Sequence, residues 1–137
     1  MSNSVLVLAE NSVPAGFGLV GEHGFSALIE AGGKKILFDT GQGLGILKNA
    51  SLLNVKLEEV VAIAISHGHA DHTGGLKPVL NAIGGRPIYA HPEIFSRRVA
   101  KRKVGEREVE VSVGIPYPRD MLEELGAKFE LKNTSFK

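Results

Sequence analysis

The sequence predicts an α/β fold, and three observations carry that prediction. Apolar runs of four to six residues alternate along the chain with segments of helical spacing. One run, Val60-Val61-Ala62-Ile63-Ala64-Ile65, has no polar interruption, the pattern of a strand buried on both faces. Glycine pairs and prolines fall between these segments, where turns are needed.

Val5 to Leu8 is the first short strand, followed by a loop from Asn11 to Gly18 punctuated by Pro14, Gly16 and Gly18. Phe25 to Glu30 resumes the strand pattern, and Gly32-Gly33 turns the chain into Lys35-Ile36-Leu37-Phe38, a hairpin signal. That strand ends in Asp39-Thr40-Gly41. From about Leu44 to Leu53 the apolar period becomes helical, and a short turn over Lys56 to Glu59 leads into the apolar run at Val60. A second helix is predicted over Leu76 to Ile83, with Pro78 in its first turn where a missing N–H does no harm. Pro87-Ile88-Tyr89-Ala90 is another strand, ending at His91-Pro92. The last third predicts a helix over Pro92 to Lys101, an exposed strand over Glu108 to Val113, a helix over Pro118 to Leu125 with Asp120 as its N-cap, and a final strand over Lys128 to Leu131.

The 137 residues suit one compact domain, and 16 Lys+Arg against 15 Asp+Glu leave a net charge of +1, with no global pull toward nucleic acid or membrane. With no cysteine, disulfides, thiolate zinc fingers and iron–sulfur clusters are excluded, and any metal must sit on His, Asp or Glu. The apolar run at the N-terminus is too short for a signal peptide, and no stretch approaches a membrane span, so a soluble cytoplasmic domain is expected.

Three of the five histidines fall within six residues, with one of only three aspartates: His67-x-His69-x-Asp71-His72, directly after the apolar strand. A loop at a strand's C-terminal end lets His67 and His69 turn toward one ion, while Asp71 and His72 face a second. Imidazoles and a carboxylate are what zinc accepts in a cysteine-free site, with iron or manganese as other choices. Two such ions lower the pKa of a shared water and clamp the oxygens of a displaced group.

This cluster, with Asp39-Thr40-Gly41 upstream, resembles the metallo-β-lactamase superfamily of metal-dependent hydrolases. A closer resemblance is to the branch of dihydropterin–ribofuranosylaminobenzene phosphate synthase-like proteins. It rests on Glu10-Asn11, Glu22-His23-Gly24, Phe38-Asp39-Thr40-Gly41, Ser66-His67-Gly68-His69, Asp71-His72-Thr73-Gly74-Gly75-Leu76, Tyr89-Ala90-His91-Pro92 and Gly114-Ile115-Pro116. The resemblance implies a single truncated domain over 1–137, the N-terminal half of an αββα sandwich. It implies that His67 and His69 hold the first of two divalent ions and Asp71 and His72 the second, with Asp71 also orienting or deprotonating the attacking water. Asp39 would fix the orientation of a ligand histidine, the alternative being a turn residue bonded to its own backbone. His91, His23 and Asn11 are weaker candidates for substrate contact, the alternative being a surface or helix-capping role for His91 and a turn role for Asn11.

The resemblance also implies partners. Superfamily members are longer, and their second half brings further metal ligands. Here no histidine follows His91, and the one later aspartate is Asp120. Two ligands per ion fall short of the usual three, and the sheet face that packs on a second half is left bare. Association is therefore expected, as a homo-oligomer or with a complementary second-half chain. Two functional readings follow: a hydrolase-type domain acting through a dinuclear site on a small, phosphorylated or pterin-like substrate, and a half-domain that keeps the ligands but needs a second chain for catalysis. A third, nucleic-acid binding, would use the basic run Arg97, Arg98, Lys101, Arg102, Lys103 and Arg107. Glu106, Glu108 and Glu110 argue instead for a solvated helix end with local ion pairs.

Overall fold

The computed structural model describes residues 2–135. Its main sheet has six strands: β1 (Ser4–Ala9), β2 (Ser26–Ala31), β3 (Lys34–Phe38), β4 (Val60–Ala64), β5 (Pro87–Ala90) and, last in the chain, β8 (Lys128–Leu131). They lie side by side in the order β1-β2-β3-β4-β5-β8. The first three are antiparallel, with Gly32-Gly33 closing the predicted hairpin between Ala31 and Lys34. From β3 onward every pair is parallel, and parallel neighbours need crossover connections. Two crossovers are helical: α1 (Ile46–Leu52) links β3 to β4, and α2 (Ala70–Thr73) with α3 (Leu76–Ile83) links β4 to β5. The third contains a hairpin of β6 (Val99–Val104) and β7 (Arg107–Ser112), followed by α4 (Arg119–Glu124). A mixed sheet with flanking helices is the α/β class that the sequence predicts.

Cross-strand register divides the sheet's side chains into two faces. Leu28, Leu37, Ile63 and Ile88 stand opposite one another across four strands and are all buried. They form one core with Ile46 and Ala50 of α1, Leu76, Val79 and Leu80 of α3, and Leu122 of α4. The opposite row, Val7, Ala27, Phe38, Ala64 and Tyr89, is also apolar but much less covered. Phe38, Ala64 and Tyr89 are half-buried, while Val5 and Val7 at the β1 edge are 68% and 45% exposed.

Two expectations are corrected. Pro92 to Lys101 is not a helix: a 3₁₀ turn over Pro92–Phe95 ends at Ser96, and Val99 begins the β6–β7 hairpin. Lys and Arg favour helix intrinsically, but Val99–Val104 instead pairs residue for residue with Arg107–Ser112 through the Gly105 turn. The basic run is thus a strand rather than a solvated helix end, although the local pairing is present in Arg97–Glu110 and Lys101–Glu108. Asp120 is not an N-cap: Pro118 holds that position, and Asp120 lies inside the first turn, accepting the Met121 N–H.

Ile63 is fully buried at the centre of the covered face. Ile63→Ala is expected to lower stability by about 2–5 kcal/mol, through lost transfer free energy and the cavity left behind, read as a reduced urea midpoint at unchanged m-value.

Candidate metal centre

Because β3 and β4 are parallel neighbours, the chain leaves both at the same edge of the sheet. The crevice beyond the C-terminal ends of such strands is where open α/β sheets place ligands. The first exit delivers Asp39 and the second delivers Ser66 to His72. Asp39 has a left-handed backbone, φ 55°, a conformation that aspartate tolerates better than most residues. Its N–H donates to the Ala64 carbonyl at 2.8 Å, and its own carbonyl accepts the Ser26 hydroxyl at 2.8 Å. Its carboxylate does not close a turn on its own backbone. Oδ1 accepts the Ser66 N–H at 2.7 Å, while Oδ2 meets the Ser66 hydroxyl at 2.6 Å and His72 Nδ1 at 2.7 Å.

Proton positions follow from this network. An ionised carboxylate only accepts, so the Ser66 hydroxyl gives Asp39 its single proton and His72 donates its Nδ1–H. The Ser66 oxygen is then free to accept from His67 Nδ1, 2.8 Å away. Both rings therefore carry a proton on Nδ1, which leaves Nε2 as the ring nitrogen available to a metal. Burial first, then the neighbouring His72 and His69, hold His67 below the ordinary imidazole pKa, with Asp39 and Asp71 partly opposing. Its ring is thus neutral at pH 7, and protons compete little for its lone pair.

The rings of His67 and His69 lie 4.8 Å apart between centroids, and those of His67 and His72 4.3 Å. His67, His69 and Asp71 offer ligand atoms all within 4.8 Å of one another. Asp71 Oδ2 is 3.5 Å from His72 Nε2 and 3.4 Å from His23 Nε2, so the exposed His23 also reaches the cluster. Imidazoles and a carboxylate at these distances suit zinc, and also iron or manganese. The other two candidates lie differently. His91 Nδ1 accepts the Glu93 N–H at 3.1 Å and caps the 3₁₀ turn, its capping alternative. Asn11 sits in an exposed bend after β1 and does not line the cleft beside Asp71.

The loop that carries the candidate ligands is pressed against its surroundings through backbone. A Cβ on Gly68 would collide with the Ile94 carbonyl, and one on Gly75 with the Thr40 carbonyl. The Thr40 N–H and hydroxyl both donate to the His72 carbonyl, joining the two exits a second time. Two contributors escaped the sequence reading. Ser66 was legible only as part of a motif, although a hydroxyl one residue before a ligand histidine is a usable signal. Glu22, 5% exposed, accepts the N–H groups of Gln42, Leu44 and Gly45 and holds the loop after Asp39. Glu22-His23-Gly24 is one of the motifs that carry the resemblance, but nothing in it marks this bonding. Beside the cluster lies an open cleft of about 500 Å³ between His23, His69 and Asp71 on one side and the β6–β7 hairpin on the other.

The sequence profile of the metallo-β-lactamase superfamily matches residues 19–131. The chain belongs to that superfamily. It is 45% identical over 80 residues to 7,8-dihydropterin-6-methyl-4-(β-D-ribofuranosyl)-aminobenzene-5'-phosphate synthase of Methanocaldococcus jannaschii, covering 54% of this chain and 27% of that protein. It is 41% identical over 99 residues to the uncharacterized protein MJ0448 of the same organism, covering 70% of this chain and 37% of the relative. The chain thus spans about a third of the length of these relatives. Among solved structures, human tRNase Z, short form, superposes with a TM-score of 0.53 at 22% identity, covering 69% of this chain and 36% of that one, a likeness of fold.

Asp39→Asn keeps the shape of the side chain but loses its charge, and Ser66→Ala cuts the link to His67. Each is expected to weaken zinc binding about 10–100-fold with little loss of fold, measured by chelator competition alongside circular dichroism. Wild-type affinity in both variants would show that the network does not set the ring tautomers.

Proposed function

We propose that this chain carries the metal-binding part of a hydrolase with a dinuclear centre, His67 and His69 holding one divalent ion and Asp71 and His72 the other. The observation that supports it is the bonding of one buried carboxylate to Ser66 and His72, and through Ser66 to His67, beside a group of His67, His69 and Asp71 ligand atoms within 4.8 Å of one another. Zinc suits the donors, with iron or manganese as alternatives. When bound, such ions lower the pKa of a water and stabilise negative charge developing on the substrate. The chain's own residues do the rest. Asp39 and Ser66 fix the rings, Asp71 stands where it can orient a water or take its proton, and the cleft past His23 and His69 admits the substrate. A small phosphorylated or pterin-like substrate is the proposed class, on the strength of the synthase at 45% identity. Reaction in the cytoplasm fits a chain without cysteine, in which no helix among the described residues is long and apolar enough to cross a membrane.

Elemental analysis after gel filtration in metal-free buffer tests the centre. Close to two ions per chain is expected, falling below one in His67→Ala and Asp71→Ala. Near-zero metal in the wild type would overturn the dinuclear reading for the isolated chain.

The uncovered sheet face supports a second reading, a half-domain completed by assembly with a second copy or a complementary chain. Val5 and Val7 at the sheet edge are exposed, and Phe38, Ala64 and Tyr89 on the same face are only half-covered, apolar surface that a monomer seldom leaves wet. Sedimentation equilibrium is expected to show self-association at micromolar concentration, shifted toward monomer by the double substitution Val5→Lys, Val7→Lys. A monodisperse monomer that does not aggregate would refute self-association.

A further inference from the structure

The β6–β7 hairpin sorts its charges by face. In its register Lys101 stands opposite Glu110 and Lys103 opposite Glu108, so these four residues share one side. Lys101 Nζ lies 3.6 Å from Glu108 Oε1, and Arg97, just before the hairpin, bonds Glu110 at 3.2 Å. Arg102 points to the other side, opposite Val109 and in line with Ala100, where the strand pair offers no carboxylate. The contact found for its guanidinium is the carbonyl of its own neighbour Lys101, at 3.3 Å. Arg102 and Ala100 line the same cleft as His23, His69 and Asp71. Arg102 is the one Lys or Arg on that lining, facing the candidate metal ligands across a gap of small-molecule size.

We propose that Arg102 binds an oxyanion of the substrate, a phosphate or carboxylate, across the cleft from His69 and Asp71. A planar guanidinium presents paired donors that match the geometry of either group, and charge-assisted bonds of this kind are stronger than neutral ones. The hairpin neutralises Lys101 and Arg97 internally and leaves Arg102 without a counter-charge on its own strand pair. The substrate is thereby anchored at an acidic group some distance from the bond that reacts. The proposal rests on the hydrolase reading above and narrows its substrate class.

The test uses the full chain as purified, labelled with ¹⁵N, following the Arg102 Nε–Hε signal during titration with phenyl phosphate, with benzoate and with neutral benzyl alcohol. Saturable perturbation by one or both anions and none by the alcohol is expected, with the tighter anion naming the group. Arg102→Gln should weaken that anion's binding about tenfold, read from backbone amides of the cleft, whereas Arg107→Gln near the exposed hairpin turn should not. No saturable shift at Arg102, or undiminished binding in Arg102→Gln, would overturn the proposal. Repeating the titration after chelator treatment, with zinc measured on the same samples, separates the two readings. Loss of the Arg102 response with zinc intact sinks the anion site alone, and an intact response in a chain that never held zinc sinks the metal centre alone.

Discussion

The carboxylate of Asp39 is the hinge of the site's geometry. It is 1% exposed, and a buried charge of this kind is costly unless its lone pairs are filled. The Ser66 N–H, the Ser66 hydroxyl and His72 Nδ1 fill them. One group thereby joins the strand ends of β3 and β4, sets the tautomer of His72 directly and sets that of His67 through Ser66. The left-handed backbone at Asp39 is the local strain that aims the carboxylate at the next loop instead of back along its own strand.

Strand direction explains why so small a set of residues can do this. The sheet changes from antiparallel to parallel at β3, so β3 and β4 both end at the edge where the ligands emerge. Had β3 and β4 formed an antiparallel hairpin, Asp39 and His67 would lie at opposite ends of the strand pair, and the carboxylate could not reach Ser66 or His72. The crossover topology places two loops of independent sequence against each other, and the Thr40 and Gly75 contacts keep them in register.

Much of this was legible in sequence where the signal is local. The run Val60–Ile65, the Gly32-Gly33 turn and the helical spacing of Leu76–Ile83 each depend on neighbours a few residues away, and each element forms there. The His67–His72 spacing marks the candidate centre for the same reason. Of the hairpin, β7 is legible in the alternation of Glu108 to Val113, whereas β6 reads as helix because its strand character comes from cross-strand pairing, while Lys and Arg taken alone favour helix. Ser66, Glu22 and Arg102 owe their roles to groups 20 or more residues away or to a cleft, and a linear pattern does not encode those distances.

The base of the hairpin is tied to the His67–His72 loop by a backbone bond, from the Ala70 N–H to the Val113 carbonyl at 2.9 Å, and Val113 in turn donates to the Arg98 carbonyl at 2.9 Å. Ala70 lies between His69 and Asp71. The two walls of the cleft therefore face each other across open space and are also joined through main chain, between the hairpin base and the residue that separates two of the candidate ligands.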